Sequence, residues 1–467
     1  MEQKENQGLS IGAKSFITAL IVIFVLMIMT YLLTFLIPGG SYARVPDAEG
    51  NLVIDTTAGF TPQQGGIPFW KWLLSPILVL GAAGNATLIA VIAFLLVIGG
   101  VFNSLDQCGL MRYMLDKTAA RFGGVRYRLM TVVTLLFMAI GAMIGSFEEC
   151  VPLVPIVVAL AVNLGWDPLT GMGMSVLATG CGFAAGVCNP FTVGVAQQLA
   201  GLPMFSGAWL RIVSFVLIYL LLITFLRRYA KKVERPLDPK QAASQFTAIA
   251  KMDKGLSCFI AILGCGIAVI IAAGFIKALQ DYTMIIVAVM FLAAGISSTL
   301  LCGMSGKDLA KTFGQGIGSI FPAVIMILMA SSIRYTLEEA KVLDTILHGA
   351  VGVAETFPKW AVILFIYLLV LVMNFFISSG SAKAFMLIPL IVPLAQVFGI
   401  NPQLCIVAFA FGDGFSNVFY PTNAVLLIAL GLAGVSYGDW FKFSVKFQLL
   451  NLLMTSGLLL FGLAVGY

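Results

Sequence analysis

The stretch GSFEECVPLVP, Gly145 to Pro155, places two adjacent carboxylates, Glu148 and Glu149, between apolar runs. LMTVVTLLFMAIGAMI (129–144) comes before it and VPLVPIVVALAV (151–162) overlaps its end. A carboxylate flanked in this way sits at a loop surface, if each run crosses a membrane, or at the tip of a hairpin that dips in and turns back. The second case sets the fold, because charge at membrane depth is costly unless it faces a cavity or a partner.

The rest of the chain is solvated mainly by lipid. Of 467 residues, 60% are hydrophobic and 10% charged, against roughly 25% charged in soluble domains. The mean hydropathy is +1.02. Runs such as IVIFVLMIMTYLLTFLIP (21–38) and IVSFVLIYLLLITFL (212–226) approach the length that spans a bilayer as a helix. The first apolar run is too long for a signal-peptide core, so it reads as a retained membrane helix. The eight cysteines are scattered, without a CxxC pair, and read as packing residues. The one histidine, His348, reads as a surface residue. No metal or cofactor is expected beyond a coupling Na+ or H+.

Basic residues cluster in 112–128, in RRYAKKVER (227–235), at Lys251 and Lys254, and at Lys442 and Lys446. Positive residues accumulate in cytoplasmic loops, which puts the N-terminus inside and the segment from Pro38 to Ile67 outside. Each cluster flanks an apolar span, so nucleic-acid binding is a poor reading.

The hydrophilic stretch 230–254 divides two halves, 1–229 and 255–467, that resemble each other. VPIVVALAVNLGWDP (154–168) matches IPLIVPLAQVFGINP (388–402) at an offset of 234 (389 − 155). Farther on, Pro190 falls opposite Pro421 and Trp209 opposite Trp440, at an offset of 231. Charge placement then fixes the crossings. In the first half, helices within 15–104 lead to a basic stretch, 105–126, along the inner surface. Next come a hairpin over 127–164, a broken span over 168–201 and a return helix over 205–228. The hairpin must enter and leave from the inside if the basic clusters are to stay on one side. One additional helix in 255–335 inverts the remaining elements: a hairpin over 359–398 entering from outside, a broken helix over 402–433 and a final helix over 440–465. The expected fold is therefore an all-α polytopic membrane protein, an inverted-topology repeat with two re-entrant hairpins and two broken transmembrane helices. Inverted repeats of this kind characterise secondary transporters.

Binding sites in such folds form where helices are interrupted, because freed backbone groups and half-helix ends can hold ions and substrate. Four interruptions stand out. The first tip, with Gly145, Ser146, Glu148 and Glu149, lies opposite the second, with Ser378, Ser379, Gly380, Ser381 and Lys383. The first broken span has Cys188, Asn189, Pro190 and Thr192; the second has Pro421, Thr422 and Asn423. Proline removes a helix donor, and glycine permits turns a helix cannot make. Asp413, two turns before the second break, is a candidate cation ligand or proton carrier, and Arg334 a candidate carboxylate ligand. An acidic first tip facing Lys383 would suit a substrate bearing both amino and carboxylate groups.

These motifs carry a resemblance. GSFEE, CNPFTVGVAQQLAGLPMFSGAWLRI (188–212), NFFISSGSAKA (374–384) and AFAFGDGFSNVFYPTNA (408–424) resemble the YfcC-type basic amino acid antiporters. These are DcuC-like anaerobic C4-dicarboxylate carriers of the ion transporter superfamily. The resemblance implies a bacterial inner-membrane homodimer with scaffold and transport domains, and substrate and cation sites at the tips and breaks. Lys383 departs from the neutral residue of similar sequences, and its ammonium could stand in place of a bound cation. The expected function is ion-coupled or exchanging transport of amino acids, basic ones preferred. The alternative is a C4-dicarboxylate carrier, which Lys383 and Arg334 would favour. An intramembrane protease is a poor fit, since Ala410, just before FGDGF, stands where that box needs glycine, and hairpin sites on both sides suit alternating access better than a channel.

Overall fold

The computed structural model describes residues 13–46, 52–55, 59–82, 86–114, 117, 125–143, 145, 147–203, 205–235, 249–275, 283–354 and 356–467. Most of the basic stretch 105–126 beyond Met114 therefore lies outside the described residues, as do Asp47 and Glu49. Six of the described helices are long and apolar enough to cross a membrane.

The N-terminal helix α1 (Ala13–Leu36) is followed by four short strands, where the sequence suggested only an outer loop. β1 (Gly39–Tyr42) pairs antiparallel with β4 (Phe60–Gln63), and β2 (Arg44–Pro46) with β3 (Leu52–Ile54), as two nested hairpins. Two short helices, α2 (Phe69–Leu73) and α3 (Ser75–Leu78), lead to α4 (Ala86–Gln107). The first hairpin has arms α5 (Arg126–Met143) and α6 (Val154–Asn163), with a 3₁₀ turn, Glu148–Leu153, after its tip. The first broken helix runs through α7 (Pro168–Met172), a π turn (Gly173–Leu177) and α8 (Ala178–Ala185). It resumes after the break as a π turn (Pro190–Gly194) and α9 (Val195–Leu199). α10 (Ala208–Val233) ends the first half.

The second half opens with α11 (Ala250–Phe275), α12 (Thr283–Leu301), α13 (Gly306–Glu339) and α14 (Val342–Ala354). Its hairpin is α15 (Lys359–Phe376) and α16 (Gly380–Val397), its broken helix α17 (Pro402–Asn417) and α18 (Ala424–Ala433), and its last helix α19 (Tyr437–Ala464). The hairpin arms are less short than the sequence suggested. Three of the four have 18 residues, about 27 Å at the usual helical rise.

Hydrogen bonding repeats between the halves. The second arm of each hairpin ends on a left-handed glycine, Gly165 (φ 84°) and Gly399 (φ 63°). Trp166 and Ile400 then donate back to Ala161 and Ala395, both at 234 residues' offset (400 − 166). Asp167 and Asn401 cap the next helix, accepting from Thr170 N and Gln403 N at 2.9 Å each. A basic side chain clamps the open end of each hairpin: Arg126 donates to Leu164 O at 3.1 Å and Lys359 to Gly399 O at 2.8 Å.

The broken helices are the innermost elements. Every residue of α8 is buried, as is every residue of α17 from Leu404 onward. They pack on each other, α8 on the hairpin arm α5 and α17 on the equivalent arm α15. Small residues allow these approaches. A Cβ on Gly414 would lie 2.4 Å from Ala184 Cα, and one on Gly182 1.8 Å from Met138 O. Without a hydrophobic force between helices in lipid, such close contact is what holds them together. The distal halves swap partners: α9 packs on α16 of the second hairpin, and α18 on α6 of the first. A smaller apolar cluster, including Phe102, Phe259 and Phe291, joins α4, α11 and α12 at one side.

The strand segment is tied to α14. Arg44 Nη2 donates to both carboxylate oxygens of Asp344, at 2.9 and 3.0 Å, and Tyr42 N donates to the same carboxylate at 3.0 Å. His348 is exposed but engaged: its ring stacks on Phe60 at 4.3 Å, and its Nδ1 lies 3.0 Å from the Tyr42 hydroxyl.

Candidate junction of two hairpin tips and two helix breaks

The first break starts where α8 ends on Gly186, at φ +51°. Cys188 N donates to Ala142 O of the first hairpin at 3.0 Å. Asn189, fully buried, turns its Oδ1 back onto Thr192 N at 3.1 Å and so restarts the helix. The second break restarts the same way, with Asn423 Oδ1 accepting from Leu426 N at 3.1 Å. The breaks therefore correspond through their asparagines, at an offset of 234 (423 − 189), and not through Pro190 and Pro421. Proline interrupts a helix wherever its missing donor falls, whereas the restart is set by the residue that caps it.

Both hairpin tips converge on the first break. Gly145 has φ +72°, and a Cβ there would lie 1.9 Å from Asn189 Oδ1. A Cβ on Gly380, at the second tip, would lie 2.4 Å from Thr192 Cγ2 and 2.6 Å from Asp413 Oδ2. Both glycines are demanded by close approach, the first also by its backbone. Ser378 and Ser379 are exposed and Ser381 half-buried, and Ser379 Oγ accepts from Ala382 N at 3.4 Å to cap α16. Ser146 lies outside the described residues, as do the side chains of Glu148, Glu149 and Pro190; the backbone of the two glutamates begins the 3₁₀ turn.

Lys383 is fully buried and does not wait for the acidic tip. Its Nζ donates to Asp413 Oδ1 at 2.6 Å, to Ile377 O at 3.1 Å and to Asn374 Oδ1, satisfying all three ammonium protons. Asp413 is also fully buried. A desolvated charge must be paired and hydrogen-bonded, and a carboxylate one helix away does this better than a tip across the junction. Asn374 extends the network, donating to Ser416 Oγ at 2.7 Å and to Asn417 Oδ1 at 3.0 Å. Asn423 Nδ2 closes it onto Asn417 Oδ1 at 2.9 Å. Two acceptors or donors in the neighbourhood keep unused capacity within the described chain: Asp413 Oδ2 and Thr192 Oγ1, with Thr422 Oγ1 at the second break.

Arg334 is not brought to the junction. It is 30% exposed and pairs along its own helix with Glu338 at 2.7 Å. Asn374, Ser416 and Asn417 join the candidate site's network and were passed over by sequence reasoning. Their signal was present, as polar side chains inside the quoted runs NFFISSGSAKA and AFAFGDGFSNVFYPTNA.

The freed carbonyls of the breaks are also met. Trp440 Nε1 donates to Val418 O and Tyr437 OH to Phe419 O, both at 2.9 Å. At the first break Arg211 Nη2 reaches Val187 O at 3.4 Å. Arg211 and Trp440 are each the fourth residue of their helix, α10 and α19. Helix starts therefore pair Trp440 with Arg211, where the sequence alone paired it with Trp209.

A family model described as the C4-dicarboxylate anaerobic carrier, DcuC, matches residues 16–464. Over 404 residues, 82% of this chain and 79% of the relative, the sequence is 31% identical to an Escherichia coli K12 protein named "Putative basic amino acid antiporter YfcC". It is 26% identical over 136 residues, 28% of either chain, to the E. coli K12 anaerobic C4-dicarboxylate transporter DcuC. Among solved structures it is similar to the Alcanivorax borkumensis YdaH transporter. That likeness covers 97% of this chain and 99% of the other, with 18% identity and a TM-score of 0.45. The chain is a membrane-embedded transporter that belongs to the C4-dicarboxylate anaerobic carrier family.

Proposed function

We propose that the protein is a secondary carrier of amino acids that prefers basic ones, working by exchange or by proton coupling. It would act in the bacterial inner membrane as a homodimer, with its N-terminus inside and its hairpins re-entrant from opposite faces. The observation that carries this reading is the junction, where two hairpin tips and the first break meet beside a buried, fully bonded Lys383–Asp413 pair. Half-helix ends and freed carbonyls at depth are what a transporter uses to hold small polar solutes. The name of the E. coli relative supports the basic amino acid, and so does the Glu148–Glu149 sequence of the first tip.

The dicarboxylate reading drew support from two cations, Lys383 and Arg334. Each has its own carboxylate, Asp413 and Glu338, so neither is offered to an anionic substrate. With an ammonium already bonded to Asp413, the second tip has no need of sodium.

Counterflow into proteoliposomes loaded with unlabelled substrate tests this. Labelled arginine and ornithine are expected to exchange at rates indifferent to a sodium gradient. Saturable succinate exchange without amino-acid flux would reject the proposal, and sodium-driven accumulation would reject the role given to Lys383.

A further inference from the structure

The junction holds a second buried cation, and among the described residues this one has no carboxylate partner. Arg211 stands in the first turn of α10, and its side chain is fully buried. Its Nη2 donates to two carbonyls, Phe205 O at 3.1 Å and Val187 O at 3.4 Å. Its Nε and Nη1 have no hydrogen-bond partner in the described chain. Among the described residues no carboxylate pairs with it; the titratable groups beside it are Tyr467, whose hydroxyl is a neutral hydrogen-bond neighbour of the guanidinium, and Cys188. Buried guanidinium groups are found with carboxylates or other anions because two parallel N–H donors match two oxygens. An intramembrane charge without such a partner marks a substrate path.

The surroundings hold Arg211 in place. Phe205, which offers it a carbonyl, has φ +59°, a left-handed conformation rare for a bulky residue. Gln197 fixes that strain: its Oε1 accepts from Phe205 N at 2.6 Å, while its Nε2 donates to Ser206 O and Gln403 Oε1 at 2.9 Å. Backbone strain so tightly enforced belongs to sites that need a group held in one position. Val187 and Cys188, which adjoin the guanidinium, are half-buried, whereas Asn189 beside them is closed off. A ligand at the first break would thus meet the free edge of Arg211 next to the capped restart of the helix.

We infer that Arg211 is the carboxylate-binding residue of the transported solute, and that the site reads one carboxylate. This rests on the transporter reading above and sharpens it. One guanidinium without a carboxylate partner among the described residues matches the single α-carboxylate of an amino acid, with the amino end left to the acidic tip. A simple strut would use Nη2 alone and give no reason to bury Nε and Nη1 unbonded, which costs stability.

Thermal unfolding of the purified full-length protein decides the matter, since a ligand that binds only the folded state raises the melting temperature. The probes are L-arginine, agmatine (the same side chain without the carboxylate) and succinate. Arginine is expected to stabilise the wild type saturably and agmatine not to. Arg211→Gln is expected to lose the arginine shift, and Arg211→Lys, which keeps charge but not the fork, to need about tenfold more arginine. If Arg211→Gln does not yield folded protein, the Arg211→Lys titration decides by the same criterion. Agmatine matching arginine, an unchanged arginine titration in the variants, or no stabilisation by either carboxylate would overturn the inference. Stabilisation by succinate alone, lost in Arg211→Gln, would keep Arg211 and reject the amino-acid reading.

Discussion

At the first break the freed carbonyl of Val187 is met by a guanidinium, whereas at the second the carbonyls of Val418 and Phe419 are met by an indole and a phenol. The two breaks share their restart, an asparagine that caps the distal half-helix. They differ in where the positive charge sits. In the first half it lies at the start of α10, with no carboxylate partner among the described residues; in the second it lies on the hairpin, in Lys383, and Asp413 cancels it. The two breaks thus share a cap and differ in their charges. On the inference above, side-chain differences suit the first to an anionic group, while the second is internally bonded through Lys383 and Asp413.

The contrast can be broken most forcefully at the neutral half. Asp413→Asn leaves Lys383 buried without its counter-ion, so stability is expected to fall by about 3–5 kcal/mol. The double change Lys383→Met with Asp413→Leu should recover most of that loss in thermal unfolding while transport stays abolished. A single variant as stable as wild type would show that the pair is not the buried contact described.

The tips come next. Gly145→Ala puts a Cβ on a backbone at φ +72° and against Asn189, with an expected cost of about 1–3 kcal/mol and slowed exchange. Gly380→Ala should cost a similar amount but be partly rescued by Thr192→Ser, which removes the methyl group 2.4 Å away. Failure of that rescue, read by melting temperature, would separate the second tip from the first break. Smaller again is the loss of a cap: Asn189→Ala and Asn423→Ala should each cost about 1 kcal/mol. Asn423 should cost the more, since its amide also holds Asn417. Arg334→Ala, at an exposed i,i+4 pair, should cost about 0.3–0.5 kcal/mol and leave exchange unchanged.

Much of the frame was legible beforehand, because membrane spans and helix breaks are written in local composition. Asp167, Asn401, Gly165 and Gly399 mark element ends by residue type, and the constant offset follows from them. The features that were not legible depended on contacts between elements. Proline suggested the wrong register at the breaks, since it is conspicuous in sequence while the cap is an ordinary asparagine. The partner of Lys383 lies 30 residues away on another helix, and proximity in the fold, not charge sign across the tips, selected it. Arg211 stood unremarked inside a quoted run; its burial and its bonds to Phe205 O and Val187 O appear only in the fold. The strands between Gly39 and Gln63 escaped notice because three- and four-residue segments carry little periodicity.

The central claim is that each pair of hairpin arms enters and leaves from one face, the two pairs from opposite faces. Single cysteines at Arg126, Gly165, Lys359 and Gly399, in a chain whose eight native cysteines are replaced, would be probed with a membrane-impermeant maleimide. Labelling of 126 and 165 from the cytoplasmic side alone, and of 359 and 399 from the outside alone, is the predicted result. Ends of one hairpin labelled from different sides would contradict it.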